Sequence, residues 1–403
     1  MTAPASLTRS GGLVAPALTF LNVAAYLVTV VGANRLSKDD YGELIALLGV
    51  VLVVCVPGIA VQAVVARATA AGTSTPRALL LRSVQLGAVA AVGVAVLAPA
   101  VSAFLHASVL GALLIAVQVV PFTALSGSLG LLQGSERFGR LALVIVVQGL
   151  ARAAGLVPLL LGGSTDAVLG ALAVAMLVGA GIAIALAAPT GGPATAFRVM
   201  DVVHATSGIL ALLVLANVDV LLARNVLSGA ESGRYSVGAV LAKAAFWLPQ
   251  AVAVVVFPRL ADPVAGRALL RRCVLLVAGL GAVEVLGCLL LAKPVLEITF
   301  GTSYGTLSPI AWLWVVQGAA LSVVQLLVFR AIATNDRTTG YLIGAAAVLE
   351  SAVVLAVQPT RPGQVIAVAA TVAALTTAGL LLRRTDRGVP AVAHTGGPEP
   401  LAP

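Results

Sequence analysis

The sequence predicts an all-α polytopic membrane protein of about twelve transmembrane helices, and three observations carry that prediction. Twelve separate apolar stretches, each near the roughly 20 residues a helix needs to cross a bilayer, fill nearly the whole chain. Hydrophobic residues make up 60% of the 403 and charged ones only 10%, against the roughly 25% charged of an ordinary soluble domain. The runs are apolar throughout, without the alternation over about ten residues that marks a barrel strand, so helices are the spanning elements that satisfy their own backbone.

The spans follow in order. Residues 13–33 are interrupted only by Asn22, two Thr and one Tyr. This stretch is longer than the apolar core of a signal peptide and runs into Asn34-Arg35 without a cleavage site, so it reads as retained. Residues 44–65 carry Pro57 and end at Arg67, and 83–105 begin after Arg77 and Arg82. Residues 109–132 follow a short turn at His106 and hold Gln118 and Pro121, while 141–161 hold Gln148, Arg152 and Pro158. The sixth span, 167–188, has no charge. Residues 205–223 contain Asn217 and Asp219, 235–257 contain Lys243 and Pro249, and 273–292 contain Glu284. The last three are 307–329 with Gln317 and Gln325, 341–357 with Glu350, and 364–382. Proline removes a backbone donor, so kinks are expected at Pro57, Pro121, Pro158 and Pro249.

Lys and Arg fix the orientation, because short basic loops stay on the cytoplasmic side. With the amino terminus inside, cytoplasmic segments hold 16 basic residues and outer loops 6. A multi-pass membrane protein with both termini cytoplasmic is therefore expected. The net charge of +9 reads as topology, with anionic membrane lipids as its partner and no nucleic acid, whose recognition would need a basic soluble face. Cys55, Cys273 and Cys288 fall inside spans, without metal-ligand spacing. His106, His204 and His394 form no triad or zinc site, and His394 lies in a Pro/Gly-rich tail expected to be disordered. No connection is long enough for a nucleotide-binding domain and no Gly-Lys-Ser/Thr phosphate loop is present. Neither enzyme activity nor a cofactor is expected. A carrier and a non-transporting scaffold are the classes left.

An internal repeat favours the carrier. Tyr41, Pro57 and Arg67 are matched by Tyr235, Pro249 and Arg259 with a shift of two residues, and each set follows a Leu-Ser pair, Leu36-Ser37 and Leu227-Ser228. The matching spans enter the membrane in the same direction, a parallel repeat of the kind found in carriers with a midplane site. It divides the chain into six-span halves, 1–198 and 199–383, followed by a tail at 384–403.

An ionisable side chain near the bilayer centre is expensive and normally faces a cavity or a partner. Arg152, Asp219, Lys243, Glu284 and Glu350 are in that position. Asp219 and Lys243 lie roughly 9 and 14 Å from the outer ends of consecutive spans at about 1.5 Å per residue, and are expected to form an ion pair, either as a structural pin or with a coupling role. Arg152 has no acidic neighbour in its span, and its planar fork suits a phosphate, although bonds to neighbouring carbonyls would also satisfy it. Glu284 and Glu350 are expected to serve helix packing or interhelical hydrogen bonds, with proton carriage as the alternative. Gln118, Gln148, Gln317 and Gln325 suit sugar hydroxyls as well as helix contacts.

Several motifs carry a family resemblance: Arg35-Leu36-Ser37-Lys38-Asp39-Asp40-Tyr41-Gly42, the turn 132–138, the stretch Asn217 to Arg224 with Gly233-Arg234-Tyr235, Leu241-Ala242-Lys243-Ala244 with Pro249 and Phe257-Pro258-Arg259, and Phe300-Gly301-Thr302-Ser303-Tyr304. In this order they resemble the polysaccharide-transporter (Wzx-type) branch of the multidrug/oligosaccharidyl-lipid/polysaccharide exporter superfamily. The resemblance implies two six-helix bundles in a V around a central cavity, and a flippase that carries a lipid-linked anionic glycan from the cytoplasmic to the outer leaflet. The span count departs from the fourteen of larger members, which makes lipid II flippases a weaker match.

The resulting expectation places a diphosphate head near Arg152 and Lys243, with Asn22, Gln118 and Gln317 as further substrate-binding candidates. An H+ or Na+ gradient acting through Asp219 would drive transport, or downhill flow toward glycan consumption outside would. An ion-coupled multidrug exporter of the same superfamily and a membrane scaffold are the alternatives.

Overall fold

The computed structural model describes residues 5–192, 197, 199–247, 265–333 and 336–386, and among these every regular element is helical. The helices are α1 (Ala5–Arg35), α2 (Lys38–Ala70), α3 (Pro76–Leu105), α4 (Val109–Gly134), α5 (Phe138–Ala153), α6 (Leu156–Leu160) and α7 (Thr165–Ala187). There follow α8 (Val199–Leu215), α9 (Val218–Val226), α10 (Gly229–Trp247), α11 (Ala265–Phe300), a 3-10 turn Thr302–Ile310, α12 (Ala311–Ala333), α13 (Thr338–Val357) and α14 (Pro362–Asp386). Among the described residues 11 segments are long and apolar enough to cross a membrane, and the eighth expected span runs from α10 into residues outside the described set. Pro249, Pro258, Arg259, His394 and most of the tail also lie outside it, as do the side chains of Arg9, Arg198 and His204.

Helix starts follow capping chemistry. Ser37, Thr75, Ser108 and Ser164 each accept a backbone N–H from three residues on, which satisfies one orphan donor at the starts of α2, α3, α4 and α7. At the start of α13, Asp336 accepts from Thr338 N and Thr339 Oγ1. Burial alone would raise this carboxyl, but the Thr339 and Thr338 bonds and the Arg383 guanidinium hold it below the usual carboxylate range.

The first six spans pack largely on one another: α4 is hemmed in by α2, α3 and α7, and α1 lies along α5. Small residues make α4 the central element. Ser126, Gly130 and Gly134 recur every fourth residue, and a Cβ on either glycine would run into the α2 backbone at Gln62 or Ala66. In the last six spans α12 is central, against α10, α11 and α14, and its fully buried Trp314 fits over Gly238 of α10. Contact between the two sets runs mainly through α2, which touches α8, α9 and α10. Thus the two helices matched by the sequence repeat lie against each other, and their Leu-Ser starts make equivalent bonds, Tyr41 N to Ser37 O and Ser232 N to Ser228 O. Large apolar side chains such as Val89, Val96, Leu290 and Ile298 cover the outside, a surface suited to hydrocarbon.

Two spans are broken. Pro158 cannot donate to the Ala154 carbonyl, so the fifth span stops at Ala153 and resumes as α6. The seventh stops at Leu215, where the Asn217 side chain donates to the Leu213 carbonyl at 2.8 Å in competition with the backbone ladder. Pro57 and Pro121, by contrast, sit in unbroken helices.

Candidate functional site

The breaks position charges. Arg152 occupies the last turn of α5 and Asp219 the first turn of α9. A cation at a helix C-terminus and an anion at an N-terminus both sit favourably in the helix dipole, and interrupted helices are where carriers bind ions and substrates.

A cavity of about 230 Å³ opens between α1, α2, α4, α5, α7 and α10. Arg152, Lys243, Asn22 and Gln118 all line it. Polar spacing explains how α1 contributes: Asn22, Tyr26 and Thr29 are four and then three residues apart, which puts them on one helical face. On α10 the lining positions Ser236, Val240, Lys243 and Trp247 repeat the same spacing. The Arg152 Nε and the Tyr26 hydroxyl are buried without a partner, and Gln118 donates to the Leu114 carbonyl at 3.2 Å. Among the described residues the lining therefore holds two cations and no carboxylate. Cys55 of α2 also lines it, and Tyr26, Thr29, Ser236 and Trp247 were not singled out from the sequence.

Gln317 and Asp219 are elsewhere. Gln317 is 2% exposed and its amide donates to Asp219 Oδ2 at 3.2 Å, so it is turned from the cavity because the carboxylate offers the stronger acceptor. Tyr235 donates to the same oxygen at 2.7 Å. The expected Asp219–Lys243 ion pair is not formed: the two feel each other's charge through space, but Tyr235 and Gln317 occupy the carboxylate while Lys243 faces the cavity. Glu350, also buried, is near enough for its charge to act on Asp219. Around them Asn217 Oδ1, Asp219 Oδ1, Gln317 Oε1 and both Glu350 oxygens have no hydrogen-bond donor. Neither the Glu284 nor the Glu350 carboxyl has a hydrogen-bond partner, so of the roles expected of them the interhelical hydrogen bond is not made.

Beyond these residues, a polar clasp that the sequence did not reveal joins the helix ends around Asp39, His106 and Arg224. Arg224, only 5% exposed, donates to the Leu105 carbonyl at 2.9 Å, the His106 carbonyl at 2.9 Å and the Asp39 carbonyl at 3.2 Å, and pairs with the Asp39 carboxylate. Asn225 donates to Phe104 O at 2.6 Å, and Asn34 reaches Thr299 O at 2.9 Å. A Cβ on Gly233 would collide with the Lys38 carbonyl, and one on Gly42 would press on Ser232 and the Gly233 backbone. The Arg35–Gly42 and Asn217–Arg224 motifs are thus the two sides of this clasp.

With fold and cavity in view, comparison with solved structures is informative. The crystal structure of the eukaryotic MATE transporter AtDTX14 superposes with a TM-score of 0.66 at 13% identity, over 94% of this chain and 96% of that one. The lipid II flippase MurJ in an inward closed conformation gives 0.71 at 12% identity, over 93% and 87%. A variant of the Vibrio cholerae MATE transporter VcmN gives 0.62 at 15% identity, over 94% and 96%. The chain has the MATE/MurJ fold. No protein-family model matches it, and no curated protein matches it in sequence. An inward-facing multidrug resistance MATE family transporter of the MOP superfamily also superposes, with a TM-score of 0.58 at 11% identity over 91% of this chain and 94% of that one.

One expected result separates the carboxylate cluster from the cavity. Asp219→Asn and Lys243→Gln should each impair the protein, and adding Lys243→Gln to Asp219→Asn should not recover folded protein, because no contact is there to be balanced. Membrane abundance of the single and double variants reads this directly, and recovery in the double would restore the ion pair.

Proposed function

We propose that this protein is a flippase for a lipid-linked oligosaccharide, moving a polyprenyl-diphosphate glycan from the cytoplasmic to the outer leaflet for cell-surface polysaccharide synthesis. One observation carries the reading: among the described residues the cavity presents Arg152 and Lys243 and no carboxylate. Such a lining suits a diphosphate, which a guanidinium fork can bind through two charge-assisted hydrogen bonds. Asn22, Gln118, Tyr26 and Thr29 offer hydroxyl-matching groups beside it. The polyprenyl tail stays in hydrocarbon by leaving between α1 and α10, which scarcely touch. Residues 1–198 and 199–383 act as two rocking halves in a bacterial cell membrane with both termini cytoplasmic, and 384–403 form a tail. In that orientation the Arg224 clasp seals the outer side, so the cavity is poised to load from the cytoplasm. Asp219 and Glu350, off the cavity, are the pair through which an H+ or Na+ gradient couples.

Depleting the protein should make a lipid-linked saccharide accumulate in the membrane with its glycan facing the cytoplasm. Mass spectrometry of the lipid extract identifies it. If no such intermediate builds up and the cells instead become sensitive to amphipathic drugs, the multidrug-exporter reading replaces this one.

A further inference from the structure

On the opposite side of α10 from the cavity lies a second hollow, of about 310 Å³, between α10, α11 and α12. It lies where α10 and α11, consecutive among the described helices, hardly meet. Leu241, Ala244 and Ala245 of α10 face it, while Lys243 faces the cavity, so one helix serves both. Among the described residues the lining is apolar apart from Glu284, which stands near the middle of the span Leu270–Phe300. Both Glu284 oxygens are shielded from water and lack a donor. Val283, Leu286, Leu290 and Leu291, on the same helix, are exposed on the outside of the bundle, so the hollow is reached from the hydrocarbon.

We infer that this groove is a binding site for a lipophilic amine, with its alkyl chain along α11 and its nitrogen donating to Glu284. A carboxyl without a donor at mid-membrane is costly whether it keeps its charge or its unmet acceptors. A hydrocarbon tail would fill the groove and leave that cost in place, and a phosphate would add a like charge. An amine supplies N–H donors, can take the acid's proton to complete an ion pair, and reaches the site through the bilayer in its neutral form. The site stands apart from the proposed flippase cavity and does not depend on it. Space for the ligand is present at Gly287, where an added Cβ would meet nothing within 4 Å.

The test uses the full chain in phosphatidylcholine vesicles, dicyclohexylcarbodiimide as the reagent and N,N-dimethyldodecylamine as the probe, a tertiary amine that cannot form an amide with the activated acid and donates its N–H once it has taken the proton. The carboxylic O–H adds across a carbodiimide C=N bond and the acyl group then migrates to nitrogen, so Glu284 gains the whole reagent as an N-acylurea and nothing leaves. Peptide mass mapping should find that adduct at Glu284, and none at that peptide in Glu284→Gln. The tertiary amine at about ten times its Kd should cut labelling about tenfold, and dodecane at the same membrane content should not. Gly287→Leu, which fills the groove, should remove the amine's protection or prevent labelling altogether, and Arg152→Gln should leave both unchanged. The inference is overturned if Glu284 is never labelled in the wild-type chain, or if dodecane protects as well as the amine.

Discussion

Arg152→Gln should reduce outer-leaflet glycan per unit of inserted protein by about a hundredfold, the loss expected when charged hydrogen bonds worth roughly 3 kcal/mol are removed from the bound state. Its guanidinium lies at the end of α5, on the cavity wall, with Nε lacking any protein partner. Since no protein group there depends on Nε, the variant should insert at near-normal amounts. Arg152→Lys keeps the charge and loses the fork, so it should retain roughly a tenth of the rate. Native-rate flipping by Arg152→Gln would remove Arg152 from the substrate site. Disappearance of the protein from the membrane would make it a structural residue.

The second large effect concerns the clasp. Arg224→Ala should expose the cavity to the outside, because it deletes the contacts to the Asp39, Leu105 and His106 backbones and the Asp39 carboxylate together. A loss of about 2–3 kcal/mol from the closed state alone raises the outward-open fraction roughly 30- to 150-fold. Cys55 is a built-in reporter, since it lines the cavity and is buried in the closed form. Labelling of Cys55 by a membrane-impermeant maleimide added from outside should accelerate by that factor, and Arg224→Lys, which cannot span all the carbonyls, should give a smaller rise. Unchanged Cys55 labelling in Arg224→Ala would mean that the clasp does not hold the outer side shut.

The spans were legible because mid-membrane runs are apolar on every face, and hydropathy reports that directly. Their ends were less so. The second helix begins at Lys38, before the apolar run at 44, because Ser37 caps a polar first turn containing Asp39 and Asp40. The ninth extends to Ala265 and Phe300, beyond 273–292, through interfacial turns with Arg271, Arg272 and Lys293. Nor did the sequence announce the 3-10 turn at Thr302–Ile310.

Within the site, Arg152, Lys243, Asn22 and Gln118 could be picked out as polar groups in apolar runs, and the structure brings them to one cavity. Which way a polar side chain faces is not written in hydropathy. Gln317 looked equivalent to Gln118, yet it serves Asp219. The spacing of Asn22, Tyr26 and Thr29 was a usable signal for the α1 wall, and acidic residues in both the seventh and eleventh spans could have suggested the Asp219–Glu350 neighbourhood. Arg224 was counted as a loop charge because it falls one residue past an apolar run, although it lies folded into the protein.

The contact of α2 with α10 has a mechanical meaning. At their Leu-Ser ends Gly42 on one side meets Ser232 and Gly233 on the other, backbone close to backbone. Interdigitated large side chains would act as gear teeth, fixing the crossing angle and demanding repacking for every degree of rotation. At this one point the two backbones meet instead like a shaft in a journal bearing, so that if the proposed halves rock, this is where they would turn with least repacking. The Arg224 bonds, which run to the start of α2 and to the turn after α3, hold the same end together beside that contact.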